Sequence, residues 1–209
     1  MKTLLPGVAA MAVIVVTSNI LVQFLLFGGI LTWGAFTYPF AFLVTDIMNR
    51  VYGAKAARRV VYAGTLTGII CSLIGTQVML DFGPAVVLRV ALGSATAFFV
   101  AQLMDVAVFN RLRAGSWWRA PLVSTLVSST LDTVTFFSIA FSATFNIFGA
   151  QADGAVAWAQ GPAPFMTIGP DAPLWLSLAL ADFSVKLAIA IFALVPFRII
   201  VGRLLQRPA

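Results

Sequence analysis

The chain has 209 residues, of which 61% are hydrophobic and 10% charged, with a formal net charge of +6 and a mean hydropathy of +1.01. Soluble domains carry about 25% charged residues, so a water-dispersed enzyme is excluded. All 7 acidic residues are Asp, His is absent and Cys71 is the single cysteine, which excludes His acid–base pairs, Cys/His zinc sites and disulfide frameworks within one chain. A nucleic-acid binder displays its basic residues on a water-facing surface. Here Lys and Arg sit in short clusters between long apolar runs, which points to a lipid bilayer and not to nucleic acid.

A helix crossing the hydrocarbon core needs about 20 mostly apolar residues, and six stretches supply them. The first, 6–27, carries Asn19 and Gln23 at i, i+4, on one helical face. With a single positive charge before it and no small-x-small site at its end, it is expected to remain as a span and not to be removed as a signal peptide. The second, 31–48, holds Tyr38-Pro39 midway, where Pro frees backbone groups, and Asp46 near its end. The third is 60–80. The fourth, 84–109, contains Arg89 in its first half and Asp105 in its last turns. The fifth, 120–148, places Ser124, Ser128, Asp132, Thr135, Ser138 and Ser142 on one stripe at 100° per residue. Segment 149–173 is the one long connection. Gly161-Pro162-Ala163-Pro164 and Pro170-Asp171-Ala172-Pro173 argue against continuous helix there. With Trp158, Phe165 and Met166 it reads either as an interfacial loop or as a lid over an external vestibule. The sixth stretch, 174–197, carries Asp182 and Lys186 at i, i+4. Alternation in ten-residue segments, the mark of a membrane barrel, is absent.

The expected architecture is therefore an all-α membrane protein, one domain over residues 1–209 forming a six-transmembrane-helix bundle. Eleven of the 13 basic residues fall at the N-terminus (Lys2), in the second connection (Arg50, Lys55, Arg58, Arg59), in the fourth (Arg111, Arg113, Arg119) and in the C-terminal tail (Arg198, Arg203, Arg207). The other three connections carry none, so the positive-inside rule places both termini in the cytoplasm. A faint internal echo, Asp46 with Asn49-Arg50 and Asp105 with Asn110-Arg111, accompanies a 3+3 pseudo-repeat of the kind transporters use.

Six ionisable groups lie within these spans. Each central charge costs roughly 2.5–3.5 kcal/mol on insertion scales, so such groups face the interior by default. Asp132 is midway along its span and marks a substrate site. Asp182 and Lys186 read either as an internal ion pair that permits insertion or as substrate contacts, with Lys186 exchanging between Asp132 and Asp182. Arg89 reads as an outward-snorkelling base or as the partner of a membrane carboxylate. Asp46 and Asp105 read as an inner gate or as end-of-span hydrogen bonding. Asn19 and Gln23 both donate and accept, which suits a heterocycle edge or a cross-helix bond. Trp33, Phe36, Tyr38, Phe40 and Phe42 offer rings, one or two of which could stack on a planar ligand. No Gly-x-x-x-x-Gly-Lys-Ser/Thr loop is present, and the missing His forbids a His-Glu zinc motif, so neither catalysis nor a metal or other cofactor is expected.

In order along the chain, Thr17-Ser18-Asn19, Gln23, Thr32-Trp33-Gly34-Ala35-Phe36, Tyr38-Pro39-Phe40, Thr45-Asp46, Arg50, Arg89-Val90-Ala91, Gln102-Leu103-Met104-Asp105, Asn110-Arg111-Leu112-Arg113, Trp117-Trp118, Ala120-Pro121, Asp132-Thr133, Ala181-Asp182 and Lys186 make the sequence resemble the queuosine precursor transporter family, also called the vitamin-uptake transporter family. The resemblance runs from about residue 17 to residue 200, apart from the long connection. It implies uptake of 7-cyano-7-deazaguanine, its 7-aminomethyl relative, or both, across the bacterial inner membrane, by a secondary or facilitative route. A deazaguanine is flat and presents N1–H and a 2-amino group side by side, two donors that one carboxylate accepts together. Asp132 or Asp182 is the candidate carboxylate, Asn19 or Gln23 takes the remaining edge, and a ring of the second span, Tyr38 among them, stacks the face. Buried carboxylates permit proton coupling. The alternatives are a substrate-binding membrane subunit of an ATP-driven uptake complex, and a non-transporting structural or assembly protein.

Overall fold

The first apolar stretch stops being helix before its hydropathy falls. The computed structural model describes residues 4–81 and 83–206. Lys2 and Arg207, counted above with the basic face, lie outside them. Helix α1 (Leu5–Leu21) carries Pro6 in its first turn, where the missing N–H costs nothing. The chain then turns through Phe27, Gly28 and Gly29 at φ 51°, 71° and 95°, a region closed to a continuing right-handed helix and natural to glycine. Leu25–Leu26 pairs antiparallel with Leu31–Thr32 across this turn. The first stretch, expected to be helical over 6–27, therefore ends at Leu21, and Gln23 lies past the helix end and not on a helical face shared with Asn19. Hydropathy could not see this, because the turn is built of apolar residues.

The second stretch is interrupted. Helix α2 (Trp33–Thr37) and helix α3 (Phe40–Tyr52) are separated by Tyr38-Pro39, which keep helical backbone angles. Pro39 has no N–H to donate, and the ladder tightens to Ala41 N–H onto Tyr38 O at 3.0 Å and Phe42 N–H onto Pro39 O at 3.1 Å. Gly53 alone connects α3 to helix α4 (Ala54–Gln77). Lys55, Arg58 and Arg59 thus belong to the first turns of α4, ahead of the apolar run, since hydropathy marks the contact with lipid and not the helix boundary.

Helices α5 (Leu88–Leu112) and α6 (Arg119–Phe141) follow. Helix α6 ends at Phe141, short of the expected residue 148, because Ser142 turns extended and its Oγ accepts the Thr144 N–H. The long connection then folds into helices α7 (Ala150–Gly154) and α8 (Ala157–Gln160) and the pair Pro162–Pro164 with Asp171–Pro173. Helix α9 (Leu174–Leu205) closes the chain.

Helices α4, α5, α6 and α9 are each long and apolar enough to cross a membrane, and α1 is a shorter apolar helix. Helix α5 packs along α6, α6 also meets α9, and α3 touches α4, α5 and α9. Between α3 and α5, Thr45 Oγ1 donates to Gln102 Oε1 at 2.6 Å and Asn49 Nδ2 to Val106 O at 3.0 Å, both across 57 residues, so these helices run parallel and in register. The packing inverts that of a soluble domain. Ile191, Phe192 and Val195 of α9 and Leu66, Leu73 and Ile74 of α4 point outward, whereas Arg89, Gln102, Asp105, Ser124 and Ser128 are fully buried. Apolar groups outside and hydrogen-bonded polar groups inside are what a hydrocarbon surround demands. The chain is a multi-pass helical membrane protein.

Candidate functional site

Tyr38, Asp132, Asp182, Lys186, Asn19 and Gln23 all line one cavity of about 430 Å³ between α1, α2, α5, α6 and α9. At its wall Lys186 Nζ bridges two carboxylates, Asp132 Oδ2 at 2.6 Å and Asp182 Oδ2 at 2.5 Å, and donates to Thr133 Oγ1 at 3.1 Å. The Tyr38 hydroxyl donates to the other Asp132 oxygen at 2.8 Å, and the ammonium sits 5.5 Å from the Tyr38 ring centre. Lys186 therefore holds both carboxylates at once, where the sequence left it exchanging between them.

The two carboxylates differ. Asp132 has both oxygens engaged and a side chain only 4% exposed. Asp182 is 17% exposed, and its bonds from Lys186 and from Thr133 (3.3 Å) both end on Oδ2. Its Oδ1 takes no protein donor among the described residues, leaving its lone pairs open.

The lining is also apolar and aromatic: Phe98 from α5 and Phe136, Phe137 and Phe141 from α6. The two amides come from the end of α1. Asn19 Nδ2 turns back to Val15 O at 2.9 Å, so its carbonyl oxygen is the free end. Gln23 Nε2 donates to Ala85 O at 3.1 Å.

Arg89 does not reach this cluster. Fully buried, it ties the start of α5 to the end of α6 and to the long connection, donating to Ile139 O at 2.7 Å, Ser142 O at 2.5 Å, Asn146 Oδ1 at 2.6 Å and Asp153 Oδ1 at 3.0 Å. Of the two sequence readings, an outward-snorkelling base and the partner of a membrane carboxylate, neither describes it: its carboxylate is Asp153, outside the spans. Sequence reasoning passed over Asp153 because an acid in a polar connection raises no energetic question until a buried guanidinium is found beside it. Asp153 Oδ2 also accepts the Phe148 N–H at 3.1 Å. This anchorage seats Ala155, Val156 and Trp158 of the long connection on the cavity.

Asp46 and Asp105 form a second, separate cluster further along α3, α5 and α6. Ser124 Oγ donates to Asp46 Oδ1 at 3.3 Å and Ser128 Oγ to Asp105 Oδ1 at 3.2 Å. Past it, Arg50 and Arg113 each donate to the other's backbone carbonyl.

Residues 32–201 match the family described as "Putative vitamin uptake transporter". The "Queuosine precursor transporter" of Escherichia coli (strain K12) is 34% identical over 210 residues, covering 94% of this chain and 85% of that protein. The "Probable queuosine precursor transporter" of Haemophilus influenzae is 36% identical, over 79% of this chain and 66% of its own length. A Bacillus subtilis protein of the same description is 28% identical over 81% of this chain and 71% of its own. No solved structure matches.

Proposed function

We propose that this chain, which belongs to the vitamin uptake transporter family together with the queuosine precursor transporters, carries queuosine precursors through the membrane it spans. The family is one of transporters and not of enzymes. The observation that supports the reading best is the cavity itself. At about 430 Å³ it falls within the ~300–1,000 Å³ typical of small-molecule sites, and its lining combines a carboxylate that keeps one oxygen free with several phenyl rings.

In this reading Asp182 recognises the cargo. Its free Oδ1, with the remaining lone pairs of Oδ2, accepts N1–H and the 2-amino group of a 7-deazaguanine as a charge-assisted pair, strong away from water. Asp132 positions rather than contacts, since it fixes Lys186 and Tyr38. Asn19 offers a carbonyl to the remaining edge and Gln23 closes that side, while Phe98 or Phe137 stacks the flat face. The cargo is 7-cyano-7-deazaguanine, its aminomethyl relative, or both. The membrane is the bacterial inner membrane, crossed six times by α1, α2–α3, α4, α5, α6 and α9 in a 3+3 arrangement, with both termini in the cytoplasm and the long connection, held by Arg89, acting as an external lid. Transport is secondary or facilitative.

Cells unable to make the deazaguanine test this directly. Supplying 7-cyano-7-deazaguanine outside should restore queuosine in tRNA when this chain is expressed and not otherwise. Queuosine that stays absent despite correctly inserted protein overturns the assignment.

A further inference from the structure

Two pairs of carboxylates are buried in this bundle, and they are neutralised differently. Asp132 and Asp182 share an ammonium, that of Lys186. Asp46 and Asp105 are 2% and 0% exposed, accept from Ser124 and Ser128, which lie one turn apart on α6 and are themselves linked by Ser128 Oγ donating to Ser124 O at 2.8 Å, and among the described residues make no salt bridge. The partners recorded for them among the described residues are uncharged. Helix α6 contributes the hydroxyls of Ser124, Thr125 and Ser128. Helix α9 contributes Ala190, Leu194 and Phe197 against Asp46. Arg50, one turn along α3, makes no salt bridge to Asp46 and donates to the Arg113 carbonyl instead.

A further observation points to what fills the gap. Asp105 Oδ2 is buried and takes no donor from the protein, although Oδ1 of the same carboxyl takes the Ser128 hydroxyl. A carboxylate oxygen at this depth without a donor loses several kcal/mol, and two adjacent carboxylates without a cation cannot both stay ionised. One proton between them answers both demands. Among the described residues no group of three or more His, Cys, Asp or Glu side chains comes together to hold a metal ion.

We propose that Asp46 and Asp105 form a proton-binding site, one exchangeable proton shared between the two carboxyls, loaded and released as the transporter cycles. The site and the Lys186 cluster share helix α6. Tyr38 meets Asp132 at one level, Ser124 meets Asp46 at the other, and eight residues of α6, about 12 Å of helix, separate them. Ser128 stands midway and is bonded to Asp105, so a change of helix packing at either level is felt at the other. No bond other than O–H is made or broken: the proton leaves one carboxyl oxygen for water and another replaces it. The coupling of this proton to cargo rests on the transport reading above; the presence of the proton does not.

Infrared spectroscopy of the purified protein at neutral pH tests the site without any cargo. The wild type should show the carbonyl stretch of a protonated carboxyl, shifting down in heavy water, and the Asp46→Asn/Asp105→Asn double variant should lack it. No such band, a band surviving in the double variant, or a band removed by sodium at constant pH would each overturn the proposal. In proteoliposomes an acid-outside gradient should drive accumulation of labelled 7-cyano-7-deazaguanine by the wild type, whereas Asp46→Asn and Asp105→Asn should exchange label across the membrane without accumulating it. Gradient-driven accumulation by either variant sinks the coupling. A wild type that moves no deazaguanine sinks the transport reading instead and leaves the infrared result to decide the site.

Discussion

Replacing Lys186 with Met removes the cation that holds Asp132 and Asp182 together. The ammonium makes three bonds, to Asp132 at 2.6 Å, Asp182 at 2.5 Å and Thr133 at 3.1 Å, and its side chain is 4% exposed. Methionine fills nearly the same volume, so packing is spared and the electrostatic loss is isolated. Two carboxylates are left facing each other. Removing one partner of a buried ion pair costs about 3–5 kcal/mol. In a chain of 150–250 residues each kcal/mol lowers the thermal midpoint by about 2–4 °C, so Lys186→Met should lower it by roughly 6–20 °C in detergent. The low end applies if Asp182, 17% exposed to the cavity, takes up water or a proton. The Lys186→Met/Asp132→Asn/Asp182→Asn variant carries no charge here, and neutral replacements of buried ion pairs are often tolerated or stabilising. It should regain most of the lost midpoint and still transport nothing. A Lys186→Met protein that melts with the wild type would refute the reasoning, since the carboxylates would then not depend on the ammonium.

Asp182→Asn should keep the protein inserted but raise the half-saturating cargo concentration roughly 10- to 100-fold, the equivalent of one hydrogen bond to a charged group at about 1.5–3 kcal/mol; unchanged saturation in an uptake assay would remove Asp182 from recognition. Asp132→Asn should abolish uptake with insertion intact, because Tyr38 and Lys186 lose their common anchor, and near-normal uptake would count against that role. Arg89→Lys replaces a fork serving four acceptors with one ammonium that cannot span them, so limited proteolysis within 149–173 should accelerate at least tenfold; equal cleavage rates would show that Arg89 does not hold the connection down. Gly34→Ala adds a methyl 3.0 Å from Ser18 O and from Val22 Cα, backbone that cannot yield without moving α2 off α1. It should cost about 1–3 kcal/mol and weaken uptake, as read by thermal unfolding and transport together.

Much of this molecule is written residue by residue. Apolar runs long enough to cross lipid, charges too costly to bury without purpose, and the i, i+4 relation of Asp182 to Lys186 are local properties, legible wherever the chain keeps helical periodicity. The ends of the elements were less legible. Helix α1 ends at Leu21 and the turn at Phe27, Gly28 and Gly29 follows, all as apolar as the helix itself, and α4 starts among Lys55, Arg58 and Arg59, which are good helix formers outside lipid. Partnership was not legible at all. Periodicity assigns each side chain a direction about its own helix axis, but the rotation of one helix against another depends on close contacts between residues far apart in sequence, such as Gly34 against Ser18 and Val22. Only that packing gives Asp132 to Lys186 across 54 residues, turns Arg89 away from every membrane carboxylate toward Asp153, and buries Asp46 and Asp105 against Ser124 and Ser128 with no salt bridge among the described residues. The sequence determined which charges enter the bilayer. Tertiary structure decided which of them meet, because the energy of a buried charge depends on its partner and hardly at all on its neighbours along the chain.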